Sequence, residues 1–129
     1  MIGAAGTPGI DIRPDHWAVI RDILLRHVPG HEVWAFGSRA KGTAKAWSDL
    51  DLVIMTSTAL PLMTRAALAD DFSESNLPWK VDIVDRATLA ETFREIIERD
   101  KVLVQPVEDS AGETAARSIR SRPSTYSRR

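Results

Sequence analysis

Cysteine is absent from this 129-residue chain. Its absence excludes disulfide bridges, thiolate catalysis and cysteine-based zinc sites, and it agrees with a reducing compartment. Long hydrophobic runs are also missing, because no stretch approaches the ~20 apolar residues that a membrane-spanning helix needs. The first residues contain no basic segment leading into an apolar one, so no targeting signal is expected. We therefore predict a cytoplasmic protein that does not bind a membrane.

An excess of charge of either sign is missing as well. The chain has 17 Lys and Arg residues against 18 Asp and Glu, a formal net charge of −1, so no general attraction to nucleic acid is expected. We predict a flexible leader over residues 1–12, one folded domain over 13–106 and a basic, disordered tail over 107–129. The basic character of the tail comes from Arg117, Arg120, Arg122, Arg128 and Arg129.

Apolar periodicity divides the predicted domain into helices and strands. Apolar residues that recur every three to four positions predict helices at about 14–28, 61–72 and 88–99. Short apolar runs predict strands at 33–36, 49–55, 79–85 and 102–104. A short helix over 39–45 is expected to have its amino end at Gly37 and Ser38.

Aspartates interrupt two of these apolar strands. Successive side chains of a strand point to opposite faces, so Asp49 and Asp51 share one face. Two carboxylates placed in this way repel each other unless a cation lies between them, and hard oxygen ligands favour Mg²⁺. Asp82, on another strand, would complete the set if the two strands are neighbours. Three carboxylates can hold two ions roughly 3.5–4 Å apart, the arrangement used for in-line phosphoryl displacement.

The turn after the first strand has the residue types of a phosphate site. Gly37 lets the backbone approach an anion closely, and Ser38 offers a hydroxyl and an amide at a helix amino end. Arg39 and Lys41 can neutralise part of a triphosphate. Neither the turn nor the carboxylates is decisive alone, but ten residues between Ser38 and Asp49 make the combination restrictive.

Gly37-Ser38, ten residues and then Asp49-x-Asp51 resembles the signature of the DNA polymerase β-like nucleotidyltransferase superfamily. The chain is more closely similar to the minimal nucleotidyltransferases of bacterial and archaeal HEPN/MNT toxin–antitoxin pairs. That similarity runs from about residue 17 to 104 and is carried by the stretches 37–42, 48–52, 77–84 and 93–99. Position 41 is more often Arg in this family; Lys41 keeps the charge but loses the bidentate fork.

The resemblance implies an α+β fold, a small mixed sheet flanked by helices. It also implies an Mg²⁺-dependent enzyme that transfers AMP from ATP to a tyrosine of a partner HEPN toxin and so silences that ribonuclease. Asp49 and Asp51 would bind both Mg²⁺ ions. Asp82 would hold the ion that lowers the pKa of the attacking hydroxyl, and would accept its proton.

For the nucleotide, the resemblance implies that Gly37 and Ser38 hold the β- and γ-phosphates of ATP, with Arg39 and Lys41 as further phosphate contacts. A hetero-oligomer with the toxin is expected, without direct binding of nucleic acid. Two alternatives stay open from the residues: an antitoxin that only binds and blocks its partner, and a nucleotidyltransferase acting on a small-molecule hydroxyl or amine.

The tryptophans are predicted to be packing groups rather than a platform for a nucleotide base. This prediction covers Trp34, Trp47 and Trp79, although Trp47 is close enough to Asp49 in sequence to border a nucleotide. Tyr126, the single tyrosine, lies in the basic tail, and its self-modification is the less favoured interpretation.

Overall fold

A four-stranded mixed sheet forms the centre of the fold. The computed structural model describes residues 7–107, so the predicted tail lies outside the described residues except for Val107. The strands, in the order β3-β2-β1-β4 across the sheet, are β1 (Val33–Phe36), β2 (Leu50–Ile54), β3 (Val81–Asp85) and β4 (Val102–Gln105). Strand β1 runs antiparallel to β2 and to β4, whereas β2 and β3 are parallel. The predicted α+β fold with a mixed sheet is confirmed.

The first helix precedes β1, and the other helices connect the strands. The helices are α1 (Pro14–His27), α2 (Ser38–Lys41), α3 (Leu62–Glu74) and α4 (Glu91–Asp100), with a short 3₁₀ turn at Arg86–Thr88. None of the helices within residues 7–107 has the length and apolar character needed to cross a membrane. Helix α2 ends earlier than the predicted residue 45, because Gly42 adopts φ +80° and its N–H caps the carbonyl of Ser38.

The two faces of the sheet are covered unequally. On one face, Leu50, Leu52 and Ile54 of β2 pack under α1 and α3 in the main core of the protein. On the opposite face, a smaller cluster of Phe36, Val53 and Ile97 lies under α4. Because side chains alternate along β2, Asp51 belongs to this second, less covered face. Asp49 immediately precedes the strand, and its charge acts on Asp51.

The segment before α1 is part of the domain. Ile10 and Ile12 pack against the main core, and the Asp11 N–H donates a hydrogen bond to the Arg39 carbonyl over 2.9 Å. The prediction of a loose leader over residues 1–12 is therefore wrong from Pro8 onward. Two isoleucines separated by one residue gave too short a pattern to reveal this packing.

Candidate active site

The structure brings the three predicted carboxylates to one face of the sheet. Asp51 of β2 lies directly opposite Asp82 in the parallel register between β2 and β3. Residues paired across neighbouring strands point to the same side, and Asp49 precedes Asp51 by two positions. All three carboxylates therefore lie on the face that α4 covers only in part.

The charges of these carboxylates are coupled. Burial, and after it the negative charges of Asp82 and Asp49, raise the pKa of Asp51 from its usual value near 3.8 to about 6. At neutral pH the Asp51 carboxylate is ionised, but against the repulsion of two neighbours and with part of its hydration removed. A cation bound at this face would relieve both costs.

The donor set fits Mg²⁺ without forming a closed cage. Within residues 7–107, no three His, Cys, Asp or Glu side chains are arranged as a ready-made metal site. Mg²⁺ is usually held by one or two carboxylates together with water and substrate phosphates, so an open group of three carboxylates suits it. Asp49, Asp51 and Asp82 are thus candidate metal ligands. Water and a nucleotide phosphate would have to complete the coordination of the ion.

The coupling predicts how the stability of the metal-free protein depends on pH. The pKa of Asp51 is higher in the folded chain, about 6, than in the unfolded chain, about 3.9. The folded state therefore binds more protons in this window, and the free energy of unfolding falls as the pH rises from about 4 to 6. We expect Asp51→Asn to remove this loss and to raise the free energy of unfolding at neutral pH by about 1 kcal/mol, a value discounted for solvent screening.

Urea unfolding at several pH values in a chelating buffer measures this effect. Asp51→Asn and the wild type should have similar free energies of unfolding near pH 4 and should diverge above pH 6, by about 1 kcal/mol. Asp70→Asn, on the exposed side of α3, is the matched control and should follow the wild type. If Asp51→Asn is less stable than the wild type at neutral pH, repulsion among the three carboxylates does not destabilise the folded protein.

Gly37 lies directly against the Asp51 carboxylate. Its backbone has φ +77°, and a Cβ at this position would collide with a carboxylate oxygen of Asp51 and come within 3.2 Å of its Cγ. Phe36, the preceding residue, is the cross-strand partner of Asp51. The turn that begins with Gly37 and Ser38 therefore borders Asp51. Any side chain at position 37 would fill the space between this turn and the Asp51 carboxylate.

The side chain of Arg39 is buried and binds backbone carbonyls. Its side chain is only 5% exposed, and the guanidinium lies 4.4 Å from the ring centroid of Trp79. The nitrogens donate to the backbone carbonyls of Asp11 (2.9 Å), Ser48 (2.9 Å), Ala46 (3.1 Å) and Lys45 (3.3 Å). These contacts tie the loop before Asp49 and the segment at Asp11 to α2, which is a structural role; the phosphate contact expected of Arg39 stays a prediction.

The remaining residues of the turn stay accessible. Ser38 is half-buried at the start of α2, and Lys41, at its end, is exposed. Lys41 is thus the basic side chain of α2 that remains available to an anion, although no contact in the structure assigns it one.

Trp47 and Phe93 are aromatic residues with exposed rings. Trp47, two residues before Asp49, is 72% exposed, so its prediction as a packing group is wrong. Trp79 is buried as predicted. Phe93 of α4, which the sequence did not single out, is partly exposed and meets Phe36 edge-on at 5.8 Å between ring centroids. In the sequence, Phe93 was marked only by its position on the apolar face of the helix that became α4.

Asp85 ends the same strand as Asp82 but belongs to the opposite face. Its carboxylate is buried, accepts a hydrogen bond from the Thr56 hydroxyl, and accepts another from the Leu60 N–H over 2.5 Å. These contacts fix the loop that follows β2. Asp85 is therefore a structural residue, and Asp82 is the carboxylate of β3 that lies on the face of Asp51.

Comparison with known proteins gives independent information. The family profile described as "Polymerase beta, Nucleotidyltransferase" matches residues 19–109. A protein of Haemophilus influenzae named "Probable protein adenylyltransferase MntA" is 46% identical over 107 residues, which cover 83% of this chain and 94% of that protein.

Solved structures share the fold. A crystal structure described as a toxin–antitoxin with AMP-PNP superposes with a TM-score of 0.60 at 22% identity, covering 71% of this chain and 74% of that one. A tri-AMPylated HEPN toxin in complex with an MNT antitoxin, from Shewanella oneidensis, gives a TM-score of 0.55 at 19% identity, covering 72% and 71%. At these identities the likeness concerns the fold of the chain.

Proposed function

Because the chain belongs to the polymerase β nucleotidyltransferase family, we propose that it transfers AMP from ATP to a tyrosine of a HEPN toxin and so acts as the antitoxin of that partner. The chain is a nucleotidyltransferase; the nucleotide, the acceptor and the partner are the proposed part. The observation that carries the proposal is the pairing of Asp51 with Asp82, with Asp49 on the same face and Gly37 against Asp51. The Haemophilus relative and the complexes of similar fold support the choice of AMP and of a HEPN partner.

The reaction replaces a phosphoanhydride bond of ATP with a phosphoester bond to the acceptor tyrosine. The tyrosine oxygen of the acceptor forms a bond to the α-phosphorus of ATP, and the bond from that phosphorus to the oxygen bridging the β-phosphate breaks. Pyrophosphate leaves with the electron pair of the broken bond, and the tyrosine proton passes to Asp82 or to water. The products are the tyrosine–AMP ester, pyrophosphate and one proton.

The carboxylates and the residues of the glycine turn would have different roles in this reaction. Two Mg²⁺ ions held by Asp49, Asp51 and Asp82 would neutralise phosphate charge and lower the pKa of the acceptor hydroxyl. Gly37 and Ser38 would bind the β- and γ-phosphates beside Asp51. Lys41 is placed on the same turn and would compensate charge on the leaving pyrophosphate.

Intact-mass analysis of the co-expressed HEPN partner tests the proposal. We expect the partner to gain one or more increments of ~329 Da, the mass of an added AMP group, when it is produced with this chain. Co-expression with Asp49→Asn is the control and should leave the mass unchanged.

An unmodified partner that is nevertheless neutralised by the wild-type chain would favour the binding-only alternative. AMP transfer to an added small-molecule hydroxyl or amine, with an unmodified partner, would favour the other alternative. Either result would contradict the proposed protein acceptor.

A further inference from the structure

A groove runs along the outer edge of β3, beside Asp82. Within residues 7–107, strand β3 is at the end of the sheet and pairs only with β2. A cavity of about 380 Å³ touches three consecutive residues of this strand and one side of α3: Val81, Asp82, Ile83, Leu62, Arg65, Ala66 and Ala69. Because consecutive strand residues point to opposite faces, a cavity that touches all three follows the edge of the strand.

The backbone of β3 can accept another strand at this edge. The Leu50 N–H donates to the Lys80 carbonyl over 2.9 Å, which fixes which backbone groups of β3 face β2. Backbone groups alternate in direction along a strand, so the N–H and C=O of Val81 and Ile83 point away from β2 and toward the groove. An edge with outward-pointing backbone groups is a template for an extended polypeptide.

Exposed apolar side chains lie at the start of α3, beside the groove that Leu62 lines. Leu62 and Met63, the first residues of α3, are 79% and 80% exposed, the highest values among the large hydrophobic side chains of residues 7–107. Leu62 also lines the groove. Adjacent exposed apolar residues at a free strand edge are typical of a surface that binds a peptide segment.

The geometry of the reaction requires the acceptor to approach the carboxylates from the side on which the groove lies. Gly37, beside which the leaving phosphates would bind, lies on the β1 side of Asp51, whereas Asp82 lies on the β3 side. In an in-line displacement, the attacking and leaving oxygens are on opposite sides of the phosphorus. The acceptor oxygen must then arrive from the edge at which the groove lies.

We propose that this groove binds the acceptor segment of the partner toxin as an extended strand alongside β3, with an apolar partner residue over Leu62 and Met63. The inference rests on the proposed function and adds the surface by which the acceptor reaches Asp82. An extended segment paired with Val81 and Ile83 would hold its acceptor hydroxyl beside the carboxylates. The groove thus serves recognition of the protein substrate and leaves nucleotide binding to the turn at Gly37.

A double variant, Leu62→Glu with Met63→Glu, tests the surface without disturbing the core, because both side chains are exposed. We expect the KM for the HEPN partner in AMP transfer to rise by about tenfold or more, with unchanged binding of ATP and Mg²⁺. Leu25→Glu is the matched control, since Leu25 is an exposed apolar residue of α1 that does not line the groove. A KM for the double variant within about twofold of the wild type would overturn the inference.

Hydrogen exchange of the complex provides a second measurement that does not depend on transfer. The amides of Val81 and Ile83 should exchange at least about tenfold more slowly when the HEPN partner is bound, because an added strand would pair with them. Unchanged exchange at both amides in the complex would refute strand addition. Failure of the wild-type chain to transfer AMP would contradict the proposed function instead, and the exchange of these amides would still decide the binding mode.

Discussion

Asp51→Asn is expected to lower the rate of AMP transfer to the HEPN partner by at least about a thousandfold, which corresponds to ~4 kcal/mol of transition-state stabilisation. Asp51 is the central carboxylate of the three, opposite Asp82 and adjacent to Gly37. An amide in its place keeps the shape of the side chain but removes the charge that balances bound cations. Single-turnover rates, followed by the mass of the partner, measure the effect.

The same variant separates catalysis from binding. The Asp51 carboxylate lies between β1 and β3 rather than in the groove beyond β3, so the affinity for the HEPN partner should stay within about twofold of the wild type. Because Asp51→Asn is expected to be more stable than the wild type when metal-free, unfolding would not account for lost activity. Wild-type transfer rates in this variant would exclude the proposed site.

Cells that produce the toxin extend this test to the antitoxin role. If AMP transfer is the means of neutralisation, Asp51→Asn should fail to restore growth although it binds the toxin. Full restoration of growth by this variant would show that binding alone neutralises the partner.

Arg39→Ala is expected to lower the free energy of unfolding by about 3–5 kcal/mol. The buried guanidinium supplies donors to four backbone carbonyls. Truncation would remove the donor from all four, and only the Lys45 carbonyl would keep a second hydrogen bond, from the Ser48 N–H. Arg39→Lys should recover little of the loss, because one ammonium group cannot reproduce the planar fork of donors. For a domain of this size, such a loss is a large part of the total stability.

Urea unfolding of Arg39→Ala, Arg39→Lys and Lys41→Ala measures this difference. Lys41 is exposed on the same short helix, so Lys41→Ala should change the stability by no more than about 0.5 kcal/mol. A stable Arg39→Ala protein with only a raised KM for ATP would instead support the role of phosphate contact that the sequence suggested.

The position of the sequence-predicted residues shows which patterns were sufficient. Alternation along a single strand was enough to place Asp49 and Asp51 on one face, because the direction of side chains in a strand is a local property. The direction of a long side chain at a turn is not local. Arg39 turns inward because carbonyls from Asp11 and from the loop before Asp49 converge on it, and Trp47 stays outside because that loop offers it no place in the core.

The amino-acid sequence alone determined the order of the helices and strands, the carboxylates of β2 and the glycine turn, because each depends on residues close together in the chain. Only the tertiary structure decided that Asp82 faces Asp51, since this register depends on how β3 pairs with β2, which is about thirty residues away in the chain. The tertiary structure also produced the edge of β3 beside α3, which no other described strand covers. Such an edge is a property of strand order, which arises from the packing of whole elements rather than from any local pattern of residues.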